Sequence, residues 1–98
     1  MYNLHMKFEW DPQKSRLNQI KHQIDFESAK PLWDDPDRIE IRAPYPLENR
    51  YVLIGRINNK LWSAIYTIRK GAIRIISVRH SRKQEARLYE KEKAREKQ

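Results

Sequence analysis

From Tyr51 to Arg79 the chain reads as strand, and only two dipeptides break it, Asn58-Asn59 and Lys70-Gly71. Asn and Gly accept the positive φ that a two-residue hairpin turn demands. The segments between the breaks are Tyr51 to Ile57, Leu61 to Ile68 and Ala72 to Arg79. Three strands joined by two tight turns make an antiparallel meander. A sheet of this kind has to bury an apolar face, so whatever precedes and follows the meander is recruited to cover it.

The upstream sequence supplies those covers. Met6 to Trp10 alternates apolar and polar and predicts a short strand. Asp11-Pro12 predicts a helix start, with Asp11 capping free N–H groups and Pro12 at the first helical position. Leu17, Ile20 and Ile24 are expected to form its apolar stripe, and Lys21 and His22 fall in its last turn, where positive charge suits the dipole. Asp25 is a second N-cap, followed by Phe26, Ala29, Leu32 and Trp33 in a short helix that Pro31 kinks or restarts. Asp34 to Asp37 reads as a loop, Ile39-Glu40-Ile41 as an extra edge strand, and Ala43-Pro44-Tyr45-Pro46 as a stiff connection. After the meander, Ser81-Arg82-Lys83-Gln84 has the form of a capping box, so Ser81 is expected to start a final helix. Its apolar content thins out after Tyr89, and residues 91–98 are expected to fray as a basic tail. The predicted fold is α+β, one twisted antiparallel sheet in the order β-α-α-β-β-β-α with helices packed on it. Ninety-eight residues make a single domain, 1–98, with its core over about 6–90.

Charge narrows the function. The net charge of +8 is concentrated late: residues 51–98 hold thirteen Lys/Arg against four Asp/Glu, while residues 25–50 hold four against seven. A local surplus of this size attracts phosphate backbones. No cysteine is present, which removes disulfides and thiolate metal sites. The N-terminus has no long apolar run, so neither a signal peptide nor a membrane contact is expected, and the cytoplasm is the default location.

The pattern Phe8-Glu9-Trp10-Asp11-Pro12, Lys14, Asn18 and Lys21-His22 is followed by Phe26-Glu27, Ala29, Asp35-Pro36, Arg50-Tyr51 and Ile54-Gly55. It is densest at Ile73-Arg74-Ile75-Ile76-Ser77-Val78-Arg79, with Arg82, Glu85 and Tyr89 after it. In this order and spacing, over roughly residues 8–90, the chain resembles the BrnT family of bacterial ribonuclease toxins from type II toxin–antitoxin pairs. Gln23 stands where that family usually has Gly, Val78 where it usually has Ala, and Pro31 is unusual in the second helix. The resemblance implies a RelE-like sheet and a metal-independent endoribonuclease that needs no cofactor and inhibits translation. It also implies a cognate BrnA-like DNA-binding antitoxin and a toxin–antitoxin hetero-oligomer.

RNA supplies its own nucleophile, the 2′-OH, so a protein need only move protons and neutralise the phosphorane. Arg74 and Arg79 are the leading groups for the phosphorane charge, because a guanidinium fork meets two phosphate oxygens. Five residues separate them, so a regular strand would point them to opposite faces unless a bulge intervenes. His22 suits proton transfer near neutrality. Glu85 and Tyr89, four apart on one helix face, are further candidates for proton transfer or for orienting Arg79. Lys21, Arg50, Arg69, Lys70 and Arg82 are expected to hold RNA phosphates. The acids Asp34, Asp35 and Asp37 could hold a metal ion but read more simply as a turn, and no metal is assigned. A non-catalytic RNA- or DNA-binding module is the alternative for the same charge distribution, and a structural ribonucleoprotein component is a third.

Overall fold

The computed structural model describes residues 6–43, 46 and 48–96, so His5, Pro44-Tyr45 of the stiff connection and the last two residues of the tail lie outside it. The elements are β1 (Phe8–Glu9), α1 (Pro12–His22), α2 (Phe26–Ala29), a 3₁₀ turn (Lys30–Asp34), β2 (Ile39–Ala43), β3 (Arg50–Ile57), β4 (Lys60–Arg69), β5 (Ala72–His80) and α3 (Lys83–Glu96). The five strands form one sheet in the order β1-β5-β4-β3-β2. The meander β3-β4-β5 is its centre, and β2 is the extra edge strand. The sheet is not wholly antiparallel, because β1 joins β5 in parallel. No hairpin links these two strands, so nothing forces them to run in opposite directions.

The turns follow local chemistry. Asn58 and Asn59 both take positive φ, as do Lys70 and Gly71, which is the two-residue hairpin geometry. Asp11 caps α1 by accepting from the Gln13 N–H at 2.9 Å, and Asp25 caps α2 through the Ser28 N–H at 2.7 Å. Pro31 is absorbed by placing it in the first turn of the 3₁₀ segment, where its missing N–H costs nothing. Gln23 takes the left-handed conformation at φ 65° after α1, the place where glycine is the unstrained residue.

The main core lies between one face of the sheet and α1, α2 and the 3₁₀ turn. Phe26, Leu32, Trp33, Leu53, Ala64, Ile75 and Val78 are all fully or almost fully buried there. The 3₁₀ turn approaches β3 so closely that a β-carbon on Gly55 would sit 3.2 Å from a Leu32 methyl and 3.3 Å from the Leu32 carbonyl oxygen. Even Ala there would require Leu32 and the turn to give by a few tenths of an ångström.

Helix α1 departs from its expected stripe. Leu17 is 64% exposed and Ile20 is 74% exposed, and only Ile24, past the helix end, is buried. The buried positions are Ser15 and Asn18. Asn18 explains the inversion. Its amide donates to the carbonyl oxygens of Ile24 and Val78 at 2.8 Å each, and its Oδ1 accepts from the Val78 N–H at 3.1 Å. Beyond the short β1, the β5 edge needs partners for its backbone, and one amide side chain supplies both a donor and an acceptor. Ser15 Oγ adds an acceptor for the Phe26 N–H at 2.9 Å.

Helix α3 covers part of the opposite face. It starts one residue later than the expected box. Arg82 is the cap, its carbonyl accepts from the Ala86 N–H, and its own N–H donates to Glu85 Oε1 at 2.8 Å. Ser81 instead meets Ser63 hydroxyl to hydroxyl at 2.8 Å. Tyr89 is 1% exposed, and its hydroxyl donates to Asp35 Oδ2 at 2.8 Å, while the Arg56 backbone N–H donates to the same oxygen. The helical backbone runs to Glu96, and Lys93 lies 3.9 Å from Asp37.

Candidate functional site

Strand alternation now decides which side chains share a face. Leu53, Ala64 and Val78 lie in one cross-strand row and point into the main core. Their chain neighbours point the other way. On β3 these include Arg50 and Arg56, on β4 Ser63, Thr67 and Arg69, and on β5 Arg74 and Arg79. Between Ile65 and Tyr66 the β5 partners jump from Ser77 to Ile75, so Ile76 is an extra residue without a partner. That bulge resets the alternation. Arg74 and Arg79 therefore emerge on the same face, opposite Thr67 and Ser63. These partners are four residues apart, which places the two arginines about 13 Å apart along the strand.

The arginines fall into two groups. Towards one end of the face are Arg50, Arg69 and Arg74, with Glu9 3.0 Å from Arg74 and Glu48 3.1 Å from Arg69. Glu48 is held below the ordinary carboxylate range, first by its hydrogen bond to Arg69, with Arg50 and Arg74 adding to the effect. The Arg69–Glu48 pair is exposed and the Arg74–Glu9 pair half-buried; an ion pair that water reaches is weak and readily exchanged for another anion. Lys70, in the hairpin turn next to Arg69, is exposed.

At the other end is Arg79. Glu85 grips it with two bonds, Nη1 to Oε1 at 2.8 Å and Nη2 to Oε2 at 2.9 Å. Ser63 Oγ also donates to Glu85 Oε1 at 2.8 Å. The Arg79 fork, with the backbone and hydroxyl donors behind it, drives the Glu85 carboxyl down to about 2. At neutral pH Glu85 is an anion that accepts four hydrogen bonds, three of them on Oε1, which suits it to holding Arg79 in place. Burial, followed by the hydrogen bond to Asp35, pushes the Tyr89 hydroxyl up to about 12. Its proton is held by Asp35 rather than shared with Arg79.

His22 reaches the same end from the other side of β5. It lies one helical turn after Asn18, so the bonds that pin Asn18 to Val78 also set His22 beside the end of the strand. The imidazole is half-buried and its pKa is lowered, first by burial and then by Lys21, His80 and Arg79. His80 is exposed and stacks on Trp62 with ring centroids 4.1 Å apart. Lys21 and Arg82 are exposed near this end, Lys21 before His22 in the chain and Arg82 at the start of α3.

The structure thus gathers His22, Lys21, Arg79, His80 and Glu85 at one end, with Arg50, Arg69 and Arg74 further along the same sheet. Tyr89 sits apart, with Asp35 and Arg56. His80, Arg56 and Ser63 were not singled out from sequence. Arg56 has the parity of Arg50 on the same strand, so alternation alone would have placed it on this face. Ser63 carries no such signal, because a serine among apolar strand residues is ordinary.

The site is thus an α+β sheet with one face lined by arginines and an imidazole near its end. A family model described as ribonuclease toxin, BrnT, of type II toxin-antitoxin system matches residues 10–85. The chain belongs to that family, and its membership implies an antitoxin partner. No curated protein matches the chain. No helix among the described residues is long and apolar enough to cross a membrane.

Proposed function

We propose that the protein is a metal-independent endoribonuclease that cleaves RNA by attack of the 2′-oxygen on the adjacent phosphorus, inhibiting translation until a BrnA-like antitoxin binds it. The observation that carries this reading is the bulge at Ile76, which puts Arg74 and Arg79 on one face of a strand whose end His22 approaches from α1. In the proposed reaction His22, neutral because its pKa is lowered, takes the 2′-OH proton. The 2′-oxygen bonds to phosphorus, the bond from phosphorus to the 5′-oxygen breaks, and that oxygen takes a proton from water, whose hydroxide is neutralised by the proton on His22. The products are a 2′,3′-cyclic phosphate and a 5′-hydroxyl. Arg79 meets the phosphorane charge with the donors that Glu85 does not take, and Glu85 is a positioning residue. Arg50, Arg69 and Arg74 exchange Glu48 and Glu9 for RNA phosphates, with Lys21, Lys70 and Arg82 extending the track. Tyr89 holds α3 on the sheet through Asp35.

The second reading is a non-catalytic RNA-binding module. It is favoured by the pairing of Arg69, Arg74 and Arg79 with carboxylates. The deciding experiment incubates the purified chain with RNA in EDTA and maps the ends. Cyclic phosphate and 5′-hydroxyl ends, lost in Arg79→Ala, are expected. RNA bound but intact, with or without divalent metal, would establish the binding module instead.

A further inference from the structure

Helix α1 has its polar side inward and an apolar pair outward. Ser15 and Asn18 satisfy backbone groups of the fold, while Leu17 and Ile20 are 64% and 74% exposed. These two side chains are three residues apart, so they adjoin on the helix surface. Folding gains little from either. Around them the helix carries Lys14, Arg16 and Lys21, all exposed, and its residues Pro12–His22 include no carboxylate. The outer face is an aliphatic pair ringed by cations.

We propose that this face docks an acidic amphipathic segment of the antitoxin, apolar side chains over Leu17 and Ile20 and carboxylates against Lys14, Arg16 and Lys21. The inference rests on the toxin–antitoxin reading above. Charge selects the occupant. A second copy of this chain, meeting itself about a two-fold axis, would set the same cations against one another. An RNA strand would use the cations but leave the aliphatic pair uncovered, since neither side chain offers an aromatic platform for a base. An acidic amphipathic segment satisfies both parts, in the way a helix is read by apolar anchors with a charged rim. The location gives the docking a consequence. His22 ends α1, so a segment that continues past Lys21 covers the imidazole and the approach to Arg79.

The test measures the affinity of the purified product of the neighbouring antitoxin gene for the full chain, for Leu17→Glu/Ile20→Glu and for Arg16→Glu. The double variant should bind at least 100-fold more weakly, keep RNA cleavage within about twofold of the parent, and stay toxic when the antitoxin is co-expressed. Arg16→Glu should weaken binding about tenfold, mainly through slower association, with the difference fading at high salt. Unchanged melting temperatures are expected, because the altered side chains face water. Binding of the double variant within threefold of the parent would overturn the docking face alone. So would loss of RNA cleavage with antitoxin binding intact, which would make the face part of the RNA site. If the antitoxin fails to bind the parent chain, the toxin–antitoxin reading falls and this proposal falls with it.

Discussion

Replacing Glu85 with Gln keeps the shape of the side chain and removes its charge. Four donors converge on this carboxylate: both terminal nitrogens of Arg79, the Ser63 hydroxyl and the Arg82 backbone N–H. Its pKa falls from an ordinary 4.5 to about 2. At 1.36 kcal/mol per pH unit, that gap sets a ceiling of about 3 kcal/mol on the charge-dependent stabilisation. Some solvent screening reaches a pair whose side chains are 21% and 18% exposed, so about 2–3 kcal/mol is expected. For a domain of this size the loss lowers the melting temperature by roughly 10–20 °C. The pH dependence has a definite sign. The folded pKa is depressed, so the stabilisation is complete above pH 4.5. As pH falls towards about 2, the unfolded chain binds a proton that the folded chain does not, and the parent loses stability. Urea titrations of parent and variant from pH 7 to pH 2.5 should show a gap that is constant down to about pH 5 and then narrows. A gap below about 0.5 kcal/mol at pH 7, or one that does not change with pH, would refute the account of Glu85 as the carboxylate that locks Arg79 and opens α3.

Two other outcomes follow from single residues. Gln23→Gly should raise stability by about 1 kcal/mol, because φ 65° is strained for Gln and free for Gly; thermal melts check it, and a lower melting temperature would mean that the Gln side chain contributes there. If His22 is the base, the cleavage rate rises with pH along an acid limb whose midpoint lies below 6.5, since burial and the neighbouring cations disfavour its charged form; the same limb in His22→Ala would assign it to another group.

Much of the fold was legible because turn chemistry is local. Asn58-Asn59 and Lys70-Gly71 mark hairpins whatever surrounds them, and Asp11-Pro12 and Asp25 mark helix starts. What stayed hidden depended on partners distant in sequence. The apolar spacing of Leu17, Ile20 and Ile24 suggested a buried stripe, yet Asn18 is worth more inward, because it answers the backbone of a strand 60 residues away. The capping box slid by one residue because Glu85 is fixed by Arg79 and Ser63, which drew Arg82 into the cap and left Ser81 to a tertiary hydrogen bond. Alternation relates Arg50 to Arg56 along β3, but that they share a face with Arg69 depends on the register between β3 and β4. For Arg74 and Arg79 alternation needed the position of a bulge, which no residue type announces here.

That bulge permits a sharp test by deletion. Removing one residue from a regular central strand reverses the facing of everything on one side of the cut. In β5 such a reversal would turn Val78 out of the core and Arg79 into it, and burying an unpaired guanidinium would prevent folding. Ile76, however, is already a surplus residue. Deleting it leaves Arg74 and Arg79 four apart in an unbroken ladder, still on one face, with Ile73, Ile75 and Val78 still inward. The expected cost is the lost burial of a half-buried Ile and some local twist, about 1–2 kcal/mol. The deletion variant should fold cooperatively by circular dichroism and thermal melting. Deleting Ile65 from β4, a paired residue opposite Ser77, should leave the chain unfolded by the same measures. If both deletions unfold the chain alike, Ile76 is not the surplus residue, and the shared face of Arg74 and Arg79 has no basis.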